Sequence, residues 1–177
     1  MIIPDVLCEG LALVLCGTAP SRVSKEKQAY YAHPGNIFWK TLFDVGLTPH
    51  RVAPANYIEV LKFGIGLTDL NKTEWGADSE LSKAGFDVAS FTDKMRRYRP
   101  GVIAFDSKFA ARTYFGRATI GYGRQDETLA GIPLFVVPST SGRARSFFEL
   151  APWQALARHL TQPALTQPAL TQPALTR

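Results

Sequence analysis

The sequence predicts a three-layer α/β/α sandwich around a mostly parallel central sheet. Three observations carry the prediction. Short continuous apolar runs occupy residues 11–16, 102–105 and 132–137, each stopped by glycine, proline or small polar residues, as expected of strands buried on both faces. Segments with apolar groups three or four apart lie between them, so strands alternate with helices. With 177 residues, 46% hydrophobic and 20% charged, the chain is long enough and apolar enough to bury a core.

Taken in order, the run Leu11-Ala-Leu-Val-Leu-Cys16 ends at Gly17 and Pro20, which reads as a strand emptying into a loop at its carboxyl end. Helical spacing follows at Phe38, Leu42 and Phe43, again at Ile58, Leu61 and Lys62, and again at Val88, Phe91, Met95 and Tyr98. Asp87 is placed to cap the third of these, and Pro100-Gly101 to end it. The run 102–105 is the next strand. The run 132–137 is the last, with Pro133 near its start, where a missing N–H is tolerated, and Pro138 after its end. Residues 147–160 read as a closing helix offering Phe148, Ala151, Leu156 and Leu160 to the core. Residues 1–160 are therefore expected to form one domain. Residues 161–177 repeat Thr-Gln-Pro-Ala-Leu, and a proline every fifth residue makes this an extended tail.

Composition excludes several classes. The balance of 20 Lys+Arg against 15 Asp+Glu gives a net charge of +5 and an isoelectric point near 9.4, which suits a partner made of phosphates. Cys8 and Cys16 belong to no Cys/His cluster, so neither a zinc nor an iron–sulfur site is expected. Nothing approaches the ~20 apolar residues of a membrane helix, and the first residues lack the basic-then-apolar pattern of a signal peptide. The expectation is a soluble, cytoplasmic monomer without membrane partner, metal or cofactor.

Three loops hold the informative residues: Gly17-Thr-Ala-Pro-Ser21, Tyr30-Tyr-Ala-His-Pro-Gly-Asn36, and Pro138-Ser-Thr-Ser-Gly-Arg-Ala-Arg145. In the predicted fold they converge at one side of the sheet. Together they offer glycines for close backbone approach, an aromatic platform, hydroxyls and an arginine pair, as a nucleotide site requires.

The order and spacing of these loops resemble the uracil-DNA glycosylase superfamily, in particular its mismatch-specific uracil/thymine glycosylases and its hypoxanthine-DNA glycosylases. The strongest stretch is Tyr31-Ala-His-Pro-Gly-Asn-Ile-Phe-Trp-Lys40, similar to the family's aromatic-Ala-His-Pro-x-Asn-x-Phe-Trp-Lys segment. Gly64-Ile-Gly-Leu-Thr-Asp-Leu70 resembles a Gly-x-Thr-x-Leu stretch of the mismatch enzymes. The resemblance implies a uracil-DNA glycosylase-like fold and a monofunctional hydrolase that flips uracil, or another deaminated base, out of DNA. Such an enzyme cleaves the bond between sugar and base and releases free uracil and an abasic site. Its partner would be uracil-containing or abasic DNA, and its process base excision repair.

The resemblance also suggests roles. Tyr31 falls where the family stacks a ring on the flipped base, although packing on Phe38 is the bland alternative. Mismatch glycosylases carry Gly-x-Asn-Pro in the first motif, and that Asn orients the attacking water. Here the position is Ala19, which can do no such work. Hypoxanthine-DNA glycosylases also lack it and resemble this chain at Gly17, Pro20, Ser21, Tyr30, Tyr31, His33, Pro34 and Asn36. The catalytic candidates are therefore Asn36 first and Asp69 second, against readings as a helix cap and as a solvated loop acid. Gly17, Thr18, Ala19, Tyr31, His33 and Ser139 are expected to hold the base, His33 alternatively serving as a loop brace. The third loop resembles the family's minor-groove loop, with Arg143 at the tip that fills the hole left by the flipped nucleotide. Ser141, Gly142, Arg145, Lys40 and Lys108 join Arg143 as expected DNA contacts. Two other readings stay open: a low-turnover protein that binds abasic sites or mismatches, and an unrelated α/β nucleotide or phosphoester enzyme.

Overall fold

The computed structural model describes residues 2–161. The elements are β1 (Leu13–Gly17), α1 (Arg22–Lys27), α2 (Phe38–Asp44), β2 (Ile65–Asp69), α3 (Val88–Tyr98), β3 (Val102–Phe105), α4 (Lys108–Phe115), β4 (Gly123–Leu129), β5 (Ile132–Val136) and α5 (Ala151–Thr161). The strands form one sheet in the order β2-β1-β3-β5-β4. All neighbours are parallel except the β4–β5 pair. The proposed extended tail lies outside the described residues apart from Thr161, which ends α5.

Alternation along the parallel strands feeds two cores, one on each face of the sheet. Leu13 and Leu15 of β1, Val102 and Ala104 of β3, and Phe135 of β5 point to one face, where Phe38, Leu42, Trp153 and Leu156 of α2 and α5 cover them. Val14, Cys16, Ile103, Phe105, Leu134 and Val136 point to the other, under Phe91 and Met95 of α3 and Ala110 and Ala111 of α4. Because both faces are covered, β1, β3 and β5 read as continuous apolar runs.

Helix ends follow the side chains available. Asp87 caps α3 by accepting from Ser90 N at 2.8 Å, and Ser107 caps α4 by accepting from Ala110 N at 2.9 Å. The helix α3 closes on Arg99 in the left-handed region, directly before Pro100.

Several expectations are corrected. The first strand starts two residues later than its apolar stretch and ends one later, at Gly17. Residues Pro54–Phe63 form a 3-10 segment with a kink at Asn56, and Ile58 is 58% exposed, so the i, i+3 pattern there does not make an α-helix face. The closing helix begins at Ala151. The turn before it, Gly142–Phe147, is 3-10, and Ala151 is exposed while Trp153 supplies the buried anchor. Two further strands, β2 and β4, lack a continuous apolar run. In β2, Gly66 and Thr68 interrupt the apolar pattern, and β4 is polar along most of its length because it is the exposed antiparallel edge. No helix of the described residues is long and apolar enough to cross a membrane.

Candidate active site

Parallel strands deliver their carboxyl ends to one side of the sheet, and the loops leaving them enclose a cleft of about 980 Å³. Gly17 ends β1, Asp69 ends β2, Asp106 and Ser107 follow β3, and Ser139 and Thr140 follow β5; all line it. The volume lies in the range of sites that hold a small organic ligand.

The loops are stitched together by main-chain and hydroxyl contacts. After β1, the carbonyls of Gly17 and Thr18 accept from Leu70 N and Asn71 N at 3.0 and 2.9 Å, fixing that loop to the end of β2. Ser21 caps the short α1, and Ser24 within it accepts from Ala32 N at 3.2 Å. Ile37 N donates to Thr140 O at 3.0 Å, which ties the second loop to the third. Gly142 meets Gly35 so closely that a Cβ on Gly142 would lie 3.3 Å from the Gly35 carbonyl oxygen. Trp153 Nε1 donates to Pro138 O at 3.0 Å and anchors the third loop to α5.

Tyr31 stands at φ +51°, a left-handed conformation that costs a non-glycine residue about 1–3 kcal/mol unless its surroundings impose it. One face of its ring stacks on Phe38, with centroids 3.6 Å apart and planes 13° from parallel. Trp39 Nε1 donates to the neighbouring Tyr30 carbonyl at 3.2 Å and helps hold the turn. Tyr31 is half-buried and lines the cleft, so the ring face opposite Phe38 is the one a ligand can meet. Its hydroxyl is buried with no hydrogen-bond partner among the described residues.

Asp69 is not a solvated loop acid. It is 4% exposed at the last position of β2, and its Oδ2 also lacks a hydrogen-bond partner among the described residues. Lys72 Nζ is 3.7 Å from that oxygen, too far for a hydrogen bond, because it is held at 2.9 Å by Asp5 Oδ1 and donates at 2.9 Å to the Tyr30 hydroxyl. Burial lifts the Asp69 carboxyl to about 6, with the Lys72 ammonium opposing.

Asp106 is the residue that sequence reasoning missed. It is 7% exposed, and burial raises its carboxyl to about 7, the Tyr31 hydroxyl opposing and the Asp69 charge adding to the rise. The signal was present in the strand-end rule that singled out Gly17, since Asp106 follows the apolar run 102–105 directly. Two desolvated carboxylates at the ends of β2 and β3, the strands on either side of β1, can move protons near neutral pH.

The other expected residues divide. Thr18, Ala19, His33 and Asn36 line the cleft, as do Ser141, Gly142 and Arg143. Asn36 Oδ1 accepts from Phe38 N at 2.9 Å, so it does brace the entry to α2, and its amide NH₂ is the group left for a ligand. His33 Nδ1 accepts from Gly35 N at 3.0 Å, a loop brace that leaves Nε2 as its outward nitrogen. Ser139 Oγ accepts from Ser141 N at 3.3 Å. Arg145, Lys40 and Lys108 are not part of the cleft wall. Lys40 pairs with Asp44 one turn on, and Lys108 Nζ lies 4.2 Å from the Tyr122 ring centroid. Sequence reasoning also missed Phe147, 77% exposed at the cleft lip. Among the described residues no group of three or more His, Cys, Asp or Glu side chains is arranged to hold a metal ion.

Two comparisons with known proteins bear on this cleft. Residues 4–160 match the family described as the uracil DNA glycosylase superfamily. The fold is similar to a solution NMR structure from Methanosarcina acetivorans described as a putative uracil DNA glycosylase. That match has a TM-score of 0.65 and 26% identity over 90% of this chain and 97% of the other.

Proposed function

The chain belongs to the uracil DNA glycosylase superfamily, and from that premise we propose that it hydrolytically excises uracil, or another deaminated base, from DNA and leaves an abasic site. The observation that carries the reading is the convergence of Gly17, Tyr31 and Asp69 in one cleft at the strand ends, closed on its far side by the loop bearing Arg143. An enzyme acting on a base inside a duplex must extrude it, and this cleft supplies what extrusion requires.

Arg143 at the lip, helped by Arg145, Lys40 and Lys108, engages the phosphates or the gap left in the stack. The free face of Tyr31 meets the flipped base, a contact worth about 1–3 kcal/mol. The Asn36 amide and His33 Nε2 are donors for the carbonyl oxygens of the base, whose charge grows as the bond to the sugar breaks. Asp69 serves as the base that takes a proton from water, and its charge favours the cationic sugar. No step calls for a metal or cofactor.

A second reading has one observation in its favour. Ala19 stands on the cleft wall where mismatch glycosylases carry the water-orienting asparagine, which suits a low-turnover binder of abasic sites or mismatches. Single-turnover assays on duplexes carrying uracil, hypoxanthine, xanthine or mismatched thymine separate the two. Base release from at least one substrate is expected. Tight binding of abasic DNA with no release from any of them overturns the enzyme in favour of the binder.

A further inference from the structure

Three polar groups crowd the space above the Gly17 Cα. A Cβ built there would lie 2.5 Å from Asp69 Oδ1, 3.3 Å from the Tyr31 hydroxyl and 3.7 Å from Asp106 Oδ1. The Tyr31 hydroxyl and Asp69 Oδ2 are buried on the wall of the cleft without a partner among the described residues. Unsatisfied buried polar atoms cost free energy and persist where a ligand or a water completes them. Tyr31, Asp69 and Asp106 thus present polar atoms to one point of the cleft wall, beside the end of β1.

We propose that Asp106 is a catalytic residue and divides the acid–base work with Asp69: Asp69 accepts a proton from the attacking water, and Asp106 gives its proton to the departing base. The proposal rests on the glycosylase reading. In the step, a lone pair of the water oxygen forms the bond to C1′ of the sugar. The bond from C1′ to the base nitrogen breaks, with its electron pair leaving on the base. Asp69 takes the proton lost by the water, and the base takes the proton held by Asp106. Exchange with solvent through the open cleft then moves a proton from Asp69 to bulk and restores one to Asp106, so the pair returns to its starting state.

The surroundings assign the two roles. Asp69 faces the Lys72 ammonium at 3.7 Å, with Lys94 of α3 behind it and Asp5 held between the two lysines, and these cations oppose the rise that burial imposes on its carboxyl. Asp106 faces the Tyr31 hydroxyl and the charges of Asp69 and Asp78. Negative neighbours and burial favour its protonated form. Burial raises both carboxyls, and lysines stand beside Asp69 where carboxylates stand beside Asp106, a difference of surroundings that suits an acid–base pair.

The test compares single-turnover release of uracil and of 5-fluorouracil, the better leaving group, between pH 5 and 9. Wild type, Asp69→Asn and Asp106→Asn are assayed with thermal melts alongside. A group that protonates the leaving base matters less when the base leaves readily as an anion. Asp106→Asn is therefore expected to slow uracil release by about 10²-fold, 5-fluorouracil release by much less, and to lose the falling limb of the pH profile. Asp69→Asn is expected to slow both substrates alike and to lose the rising limb. Equal slowing of the two substrates by Asp106→Asn, or no slowing, overturns the proposal. Should that variant melt below the assay temperature, wild type alone decides. Its preference for 5-fluorouracil must widen as pH rises through the falling limb, and a constant ratio overturns the proposal. Failure of the glycosylase reading looks different, because wild type would then release no base at all.

Discussion

Gly17 and Asp69 approach each other so closely that no side chain fits between them: a Cβ at position 17 would sit 2.5 Å from Asp69 Oδ1. The backbone of Gly17 is an ordinary strand end, so glycine is required there by space, not by conformational freedom. Gly17→Ala must push the Asp69 carboxylate aside, at a cost of about 1–3 kcal/mol in stability. Base release is expected to fall at least ~10-fold, because a displaced carboxylate no longer meets its proton. Melting temperature and single-turnover rate check this together, and an unchanged rate in a stable variant would detach Asp69 from the chemistry.

Burying Asp69 has a pH signature. Its carboxyl stands at about 6 when folded against 3.8 ordinarily, so the folded chain binds the proton more tightly than the unfolded one. Stability therefore falls as pH rises from about 4, and the full cost is present above about 6, amounting to about 3 kcal/mol for this shift. Asp106, raised to about 7, extends the loss to higher pH. Asp69→Asn is expected to melt several degrees above wild type at pH 8 and to lose that advantage near pH 4. Melts across this range that stay a constant distance apart would show that Asp69 is not carried as a buried charge.

How far the sequence could be read follows from what each element does. The runs of β1, β3 and β5 are legible because both of their faces are buried, so every side chain is apolar. The edge strand β4 carries Arg124, Gln125, Asp126 and Glu127, and such a pattern resembles a loop unless its antiparallel partner β5 is known. The strand-end loops announced themselves through Gly17, Tyr31 and the Ser139–Arg143 stretch. Asp106 did not, because nothing local distinguishes a strand-end acid from the residue before a helix cap, and Ser107 is such a cap. Its meaning arises only when Asp69, 37 positions earlier in the chain, is brought alongside by the crossover through α3.

The Tyr31 hydroxyl and ring can be separated. The ring stacks on Phe38, while the hydroxyl is buried without a partner among the described residues. Tyr31→Phe keeps the stack and removes a buried hydroxyl that makes no close hydrogen bond among the described residues and faces Asp106, so stability is expected to change by no more than about 1 kcal/mol. If the hydroxyl tunes Asp106, the same variant moves the falling limb of the pH profile to higher pH, since that hydroxyl favours the charged form. Tyr31→Ala also removes the platform and is expected to weaken binding of uracil DNA by about 1–3 kcal/mol. A falling limb that stays in place in Tyr31→Phe would separate the hydroxyl from Asp106.

Arg143 is exposed on the cleft lip in the Gly142–Phe147 turn. If it meets a phosphate, Arg143→Ala weakens all duplexes alike and lowers the slope of log affinity against log salt by about 1. If it fills the gap behind a flipped nucleotide, the loss falls on damaged duplexes with the salt slope nearly unchanged. Affinity titrations at several salt concentrations, on undamaged and abasic DNA, tell these apart. No change on either duplex would remove Arg143 from the interface.

Asn36 tests whether one side chain both braces and reacts. Its Oδ1 accepts from Phe38 N at 2.9 Å at the entry to α2, and its NH₂ is the part available to a base or a water. Asn36→Asp keeps the acceptor and so the brace, but replaces the donor with a second carboxylate oxygen in a cleft that already holds Asp69 and Asp106. Asn36→Ala loses both functions. The brace alone predicts a loss of about 1 kcal/mol in stability for Asn36→Ala, little for Asn36→Asp, and an unchanged rate in both. A donor to the substrate predicts the same stabilities but a fall in single-turnover rate of about 10²-fold in both variants. The second pattern is expected, because a brace needs only an acceptor, whereas the side chain sits on the wall of the cleft. Full activity in a folded Asn36→Asp protein would confine Asn36 to the turn.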